Sequence, residues 1–134
     1  MQFLVNLDVD DLEKAAGFYA SAFGLKVGRR FGPHAIEMLG GPAPIYLLAS
    51  KPGSRATASG NVRQYERHWT PVHLDFVVDD IEGAIKNAVA AGATLEKAAV
   101  TNSWGKLAVL ADPFGHGFCF IQFLGRGYEE IADK

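Results

Sequence analysis

Residues 4–27 read LVNLDVDDLEKAAGFYASAFGLKV, and residues 72–97 read VHLDFVVDDIEGAIKNAVAAGATLEK. The second stretch repeats the first. Asp10-Asp11-Leu12 returns 69 residues later as Asp79-Asp80-Ile81. The same offset sets His73 where the first copy has Leu4. Exchange of an aliphatic side chain for an imidazole at matched positions frames the functional question.

Each copy begins as a strand and continues as a helix. Val5, Leu7 and Val9 alternate with Leu4, Asn6 and Asp8, the period of two expected of a strand. Asp10 with Glu13, and Asp79 with Glu82, resemble capping boxes with Asp in the first position. Leu12, Ala15, Ala16, Tyr19 and Phe23 then recur at helical spacing, as do Ile81, Ala84, Ile85, Ala88 and Val89. Gly24 and Gly92 follow as C-terminal stops. Three short strand patterns complete each half: LKVGRR, HAIEML and PIYLLAS in the first, TLEKAAV, KLAVLAD and GFCFIQF in the second.

The reading is therefore α+β, with two tandem βαβββ modules. One module alone has a helix over one face of a four-stranded sheet and leaves the other face open to water. Pairing the modules predicts a curved eight-stranded mixed sheet around a cleft, with the helices outside. Module 1 spans residues 2–50, a linker or flap 51–70, module 2 71–124 and a C-terminal tail 125–134. The joining segment carries Lys51, Arg55, Arg63 and Arg67 against Glu66. It reads either as a solvated linker or as a flap whose basic face closes over a polar or anionic ligand.

The chain has 134 residues, a formal charge of -2 and 49% hydrophobic residues. These values fit one domain with a real core and give no general case for nucleic acid or a membrane surface as partner. Its single cysteine, Cys119, has no partner within the chain. That fits a reducing compartment, and with no signal-peptide pattern at the N-terminus the expected location is cytoplasmic. No glycine-rich phosphate loop, Cys-x-x-Cys, HExxH or GxSxG pattern is present, so hydride transfer and nucleotide hydrolysis have no support.

The stretch VDDLEKAAGFYASAFGLKV and the late stretch LADPFGHGFCFIQF, set in paired modules, resemble the vicinal oxygen chelate superfamily. That group includes glyoxalase I, extradiol dioxygenases and bleomycin-resistance proteins. The resemblance covers about Gln2 to Leu124. It implies a homodimer, and up to four metal-ligand positions on the first and last strands of the halves, usually His or Glu. Those positions fall at Leu4, Tyr46, His73 and Cys119. Leucine does not ligate, tyrosine rarely does, and cysteine prefers softer metals than Mg, Mn or Fe. A catalytic divalent site needs about three protein ligands and an open position. No cofactor is therefore expected, with His73 the one ligand if a divalent metal is used after all.

His73 and Asp75 project to one side of a strand and form a candidate general-base pair. The expected ligand contacts are Leu4, Asn6, Phe31, Tyr46, Trp69, Trp104 and Cys119. Trp104 stands in the polar loop TNSWGK, a setting that suggests a cleft rim or interface. Cys119 reads as a buried small hydrophobe, while His116 and His34 read as turn residues. The favoured function is metal-independent binding of a small organic molecule in an aromatic-lined cleft, of the bleomycin-resistance kind. The alternative is a lyase, isomerase or dioxygenase using His73 with a non-standard metal or general-base site.

Overall fold

The computed structural model describes residues 1–134. Module 1 consists of β1 (Val5–Val9), α1 (Leu12–Phe23), β2 (Lys26–Phe31), β3 (Ala35–Leu39) and β4 (Ile45–Ala49). Module 2 repeats the order as β5 (Leu74–Val77), α2 (Ile81–Ala91), β6 (Thr94–Asn102), β7 (Gly105–Ala111) and β8 (Gly117–Phe123). A single 3₁₀ turn, Gly127–Glu130, follows. The tandem α+β arrangement is thus as the repeat implied. The eight strands divide into two four-stranded sheets, ordered β1-β4-β3-β2 and β5-β8-β7-β6. In each, the first strand runs parallel to the last, and the other neighbours are antiparallel. The parallel pair requires a crossover, which the helix and the meander after it supply.

The helix caps lie one residue beyond the expected positions. Asp11 accepts from the Lys14 amide at 3.1 Å, and Asp80 accepts from the Gly83 amide at 3.2 Å. Both caps have extended backbone, as an N-cap must. In each Asp-Asp pair the second carboxylate is the one that reaches forward, and the first lies in the bend that precedes it. Gly24 ends α1 in the left-handed region at φ 67°, where a side chain would be strained.

One apolar core joins the two modules. It gathers Ala15, Phe18 and Ala22 of α1, Ile81, Ile85 and Ala88 of α2, Ile36 and Leu47 of the first sheet, and Leu110 and Phe120 of the second. Alanines on the facing sides let the helices approach, and Asn87 of α2 donates to the Ser21 carbonyl of α1 at 2.7 Å. That bond satisfies a carbonyl at a helix end that has no partner within the helix. Phe23 crosses from module 1 into module 2. Its ring stacks on Phe76 with centroids 4.1 Å apart and meets Phe118 edge-on at 5.3 Å. The side of each sheet away from its helix carries the polar clusters described below.

Candidate functional site

A cavity of about 430 Å³ lies where the two modules meet. The edge strands β1 and β5 supply opposite walls, the turn before β8 supplies a third, and the segment between the modules covers it. Val5, Leu7, Leu74, Phe76 and Phe118 make the apolar part of the lining. Asn6, Asp8, Tyr19, Arg63, His68, His73 and His116 provide the polar groups. The wall thus mixes apolar surface, against which an organic body can pack, with several polar groups that can orient it, in a cavity of small-molecule size.

The covering segment is a small hairpin, closed by a bridge between Arg55 and Val62. Arg63 Nε donates to Asp8 Oδ2 at 2.8 Å, which pins the segment to β1. The Tyr65 hydroxyl donates to the Ser50 carbonyl at 2.6 Å, and Arg67 pairs with Glu96 of β6 at 2.9 Å. Three ties to both modules thus hold the cover over the cavity. The turn beneath it needs its glycine. Gly115 has φ 94°, and a Cβ there would fall 2.6 Å from the Glu66 carbonyl oxygen. The DPFG turn and the cover therefore fit each other closely.

Beside the cavity lies a buried polar relay. The Asp112 side chain is 0% exposed. Its Oδ1 accepts from the amides of Phe114 at 2.8 Å and His116 at 2.9 Å. Its Oδ2 accepts from the Tyr19 hydroxyl at 2.5 Å and meets His116 Nδ1 at 2.7 Å. Burial, followed by the charge and hydrogen bond of Asp112, raises the Tyr19 pKa well above its ordinary value, so its hydroxyl stays the donor. Four donors satisfy a carboxylate that would otherwise be costly to bury.

His73, Asp75 and Cys119 come together on the open face of the second sheet. Their ligating atoms lie within 4.8 Å of one another. His73 Nε2 stands 3.2 Å from Asp75 Oδ1. Burial, then the charge of Asp75 and a hydrogen bond to it, push the Cys119 thiol up to about 11. The thiol is therefore held protonated, and its partner carboxylate already serves the imidazole. Leu4, 55% exposed, adds no donor. Tyr46, at the remaining family position, is committed elsewhere. His73, Asp75 and Cys119 bring three possible ligand atoms together, but one is a thiol, so the set departs from the hard-donor centre that the resemblance implies.

Tyr46 belongs to a network on the open face of the first sheet. Its hydroxyl donates to Glu37 Oε2 at 2.6 Å and accepts from Arg29 at 3.1 Å. Arg29 also pairs with Glu37 at 2.7 Å. Hydrogen bonds from Arg29 first, then Tyr46, lower the Glu37 pKa to about 2. The Arg29 guanidinium lies 5.7 Å from the centroid of the Phe31 ring, at cation–π range. Arg30, by contrast, makes an exposed pair with Glu13.

Of the residues expected at the site, Asn6 and His73 line the cavity. Asp75 and Cys119 join His73 on the neighbouring face. Phe31 and Tyr46 lie together on the first sheet, with ring centroids 6.2 Å apart. Leu4 sits just before β1, and Trp69 is 80% exposed on the cover, its neighbours His68 and Thr70 lining the cavity instead. Trp104 packs on Tyr128 at 5.2 Å, away from the lining residues. Sequence reasoning passed over Tyr19, Glu37, Asp112 and the ring of His116. Tyr19 reads as part of an apolar stripe, which its buried ring obeys, but its hydroxyl partner lies 93 residues on. Glu37 did carry a signal, as a lone carboxylate between Ile36 and Met38 in an apolar strand.

A family model described as a Glyoxalase-like domain matches residues 4–121. The chain is similar to anthracycline biosynthesis protein DauV of Streptomyces sp. (strain C5), with 29% identity over 129 residues. That alignment spans 96% of this chain but only 43% of DauV, so the chain spans less than half of that relative. It is 30% identical over 118 residues to the uncharacterized protein Rv0887c of Mycobacterium tuberculosis (strain ATCC 25618 / H37Rv), covering 83% of this chain and 68% of the other. Among solved structures, a glyoxalase/bleomycin resistance protein/dioxygenase family enzyme from Burkholderia phytofirmans PsJN superposes with a TM-score of 0.69. It is 24% identical, and the match covers 90% of this chain and 97% of that one.

Proposed function

Because the chain belongs to the glyoxalase-like domain family of the vicinal oxygen chelate superfamily, we propose that it binds a small organic molecule in the cavity between its modules, without a resident metal ion. The observation that carries this reading is the cavity itself. It has the volume of a small-molecule site, walls from both modules, and a cover tied down at Asp8, Ser50 and Glu96. The name of DauV, which ties that relative to anthracycline biosynthesis, supports an organic molecule as the ligand class. The donor set around His73 supports binding without a metal, as in resistance-type sequestration.

The probe 8-anilinonaphthalene-1-sulfonate tests the cavity. It is expected to bind the native chain at one site, and Leu74→Trp, which fills the cavity, is expected to abolish that binding. Unchanged binding in Leu74→Trp would place the dye elsewhere and refute the reading. Deleting residues 53–62 is expected to weaken binding, because it removes the hairpin that closes the cover. An unchanged affinity would leave the segment as a linker.

A homodimer belongs to the same reading. Leu4, Phe31, Leu39 and Val77 are large apolar side chains left exposed by a single chain. Exposed apolar surface of this kind supports self-association. Native mass spectrometry that finds only the 14.4 kDa chain would refute it.

The His73–Asp75 contact favours a second reading, in which the pair acts as a general base in a lyase or isomerase. His73→Ala would then abolish turnover while preserving binding. Loss of binding instead would assign His73 to ligand contact.

A further inference from the structure

Three of the four histidines line the cavity, and they are held very differently. The His73 side chain is 55% exposed and leans on a carboxylate that is itself 37% exposed. His68 bonds through Nδ1 to the Glu66 carbonyl in an exposed setting. His116 is 22% exposed, and its anchor is the fully buried Asp112. Backbone fixes this anchor as well, since Asp112 Oδ1 accepts the His116 amide and the Asp112 amide donates to the His116 carbonyl at 2.8 Å.

This arrangement sets the tautomer. Asp112 already takes three hydrogen bonds as an acceptor, from the Tyr19 hydroxyl and two amides. The fourth contact, at 2.7 Å, therefore places a proton on His116 Nδ1. A neutral imidazole with that proton has a lone pair on Nε2. No group of the chain donates to His116 Nε2, and the ring lines the cavity.

We propose that His116 accepts a hydrogen bond from the acidic hydroxyl of a phenol or enol bound in this cavity. The inference rests on the cavity being the ligand site. An acceptor nitrogen repels the lone pairs of a carboxylate or phosphate, so the complementary group is a donor. Phe76, Phe118 and Leu74 on the same wall suit a flat, unsaturated body next to that hydroxyl. An acidic O–H on an sp² carbon joins both requirements in one molecule. His116 then positions the ligand and fixes its hydroxyl, with no bond made or broken.

The test compares 4-cyanophenol, which is largely un-ionised at neutral pH, with 4-cyanoanisole, in which the same oxygen is methylated. One hydrogen bond of this kind is worth up to about tenfold in affinity. The native chain is expected to bind 4-cyanophenol several-fold to about tenfold more tightly than 4-cyanoanisole. In His116→Asn the amide can still donate to Asp112 from near the Nδ1 position, but Nε2 is gone. The preference is expected to vanish there. Equal affinities in the native chain, or a preference that survives His116→Asn, would overturn the role of His116 and leave the cavity as a ligand site. Failure of the native chain to bind either probe would refute the cavity reading and this inference with it. Should His116→Asn not fold, long-range ¹H–¹⁵N spectra of the native chain decide the matter. The His116 Nε2 resonance is expected to move with 4-cyanophenol and much less with 4-cyanoanisole, and an unmoved resonance would overturn the proposal.

Discussion

Tyr19→Phe removes one oxygen atom and, with it, a bond between the modules. The Tyr19 ring sits in the core, meeting Phe18 edge-on at 5.1 Å and stacking with Phe23 at 5.4 Å. Phenylalanine preserves both contacts. What disappears is the 2.5 Å bond from the hydroxyl to Asp112, a residue of the other module. Hydrogen bonds to a charged group contribute about 1.5–3 kcal/mol, and three donors remain on this carboxylate, so the loss should be near 2 kcal/mol. A domain of this size shifts by roughly 4 °C per kcal/mol, which predicts a Tm lower by about 8 °C. Urea denaturation should show a reduced midpoint with an unchanged slope, since the surface exposed on unfolding is the same. A double-mutant cycle with His116→Asn should show coupling, because both groups meet Asp112 Oδ2. A Tyr19→Phe chain within about 0.5 kcal/mol of the native one would refute the claim that this bond links the modules.

Three further outcomes follow from the same geometry. Phe23→Ala should destabilise by about 3 kcal/mol, the low end for a large aromatic because the side chain is only partly buried; urea unfolding measures it, and a loss under about 1 kcal/mol would deny that Phe23 cements the modules. Cys119 should react with iodoacetamide at mildly alkaline pH far more slowly in the native chain than in the urea-unfolded one, since burial and Asp75 hold its thiol at about 11; equal rates would contradict that environment. Glu37 has a folded pKa of about 2, below its ordinary 4.5. Its pairing with Arg29 and Tyr46 therefore stabilises fully above the unfolded value, and that stability is lost as pH falls from about 4.5 through about 2. Glu37→Gln should accordingly be less stable than the native chain at neutral pH, with the gap closing over that range. A gap independent of pH would remove the ion pair from the explanation.

The site was less legible than the fold because its groups find their partners at long range. The imidazole of His116 reads as part of an Asp-Pro-Phe-Gly turn, and in the structure it does serve that turn through its backbone. Its ring acquires meaning only when Tyr19, from a helix 93 residues before Asp112, saturates the same carboxylate. Arg63 reads as one charge in a basic linker until Asp8 stands 2.8 Å away. His73 was legible because the repeat sets it against Leu4, and Asp75 because a strand places alternate residues on one side. Cys119 could be expected in the apolar final strand, but its raised thiol pKa comes from burial first and then from Asp75, which the strand ladder sets beside it.

By itself the sequence determined what local periodicity controls. The period of two, the helical stripes, the acidic caps and the stopping glycines fix which residues form each element, and their repetition fixes two modules. Even there the forward Asp of each pair was a matter of backbone geometry, settled only when the helix closed its first turn. The paired modules already implied a cleft, but tertiary structure alone decided that two sheets stand apart, that Phe23 crosses between modules, and which residues of β1, β5 and the cover enclose the cavity. Those outcomes depend on contacts between distant segments, where side-chain shape and hydrogen-bond direction count and where chain order carries no signal.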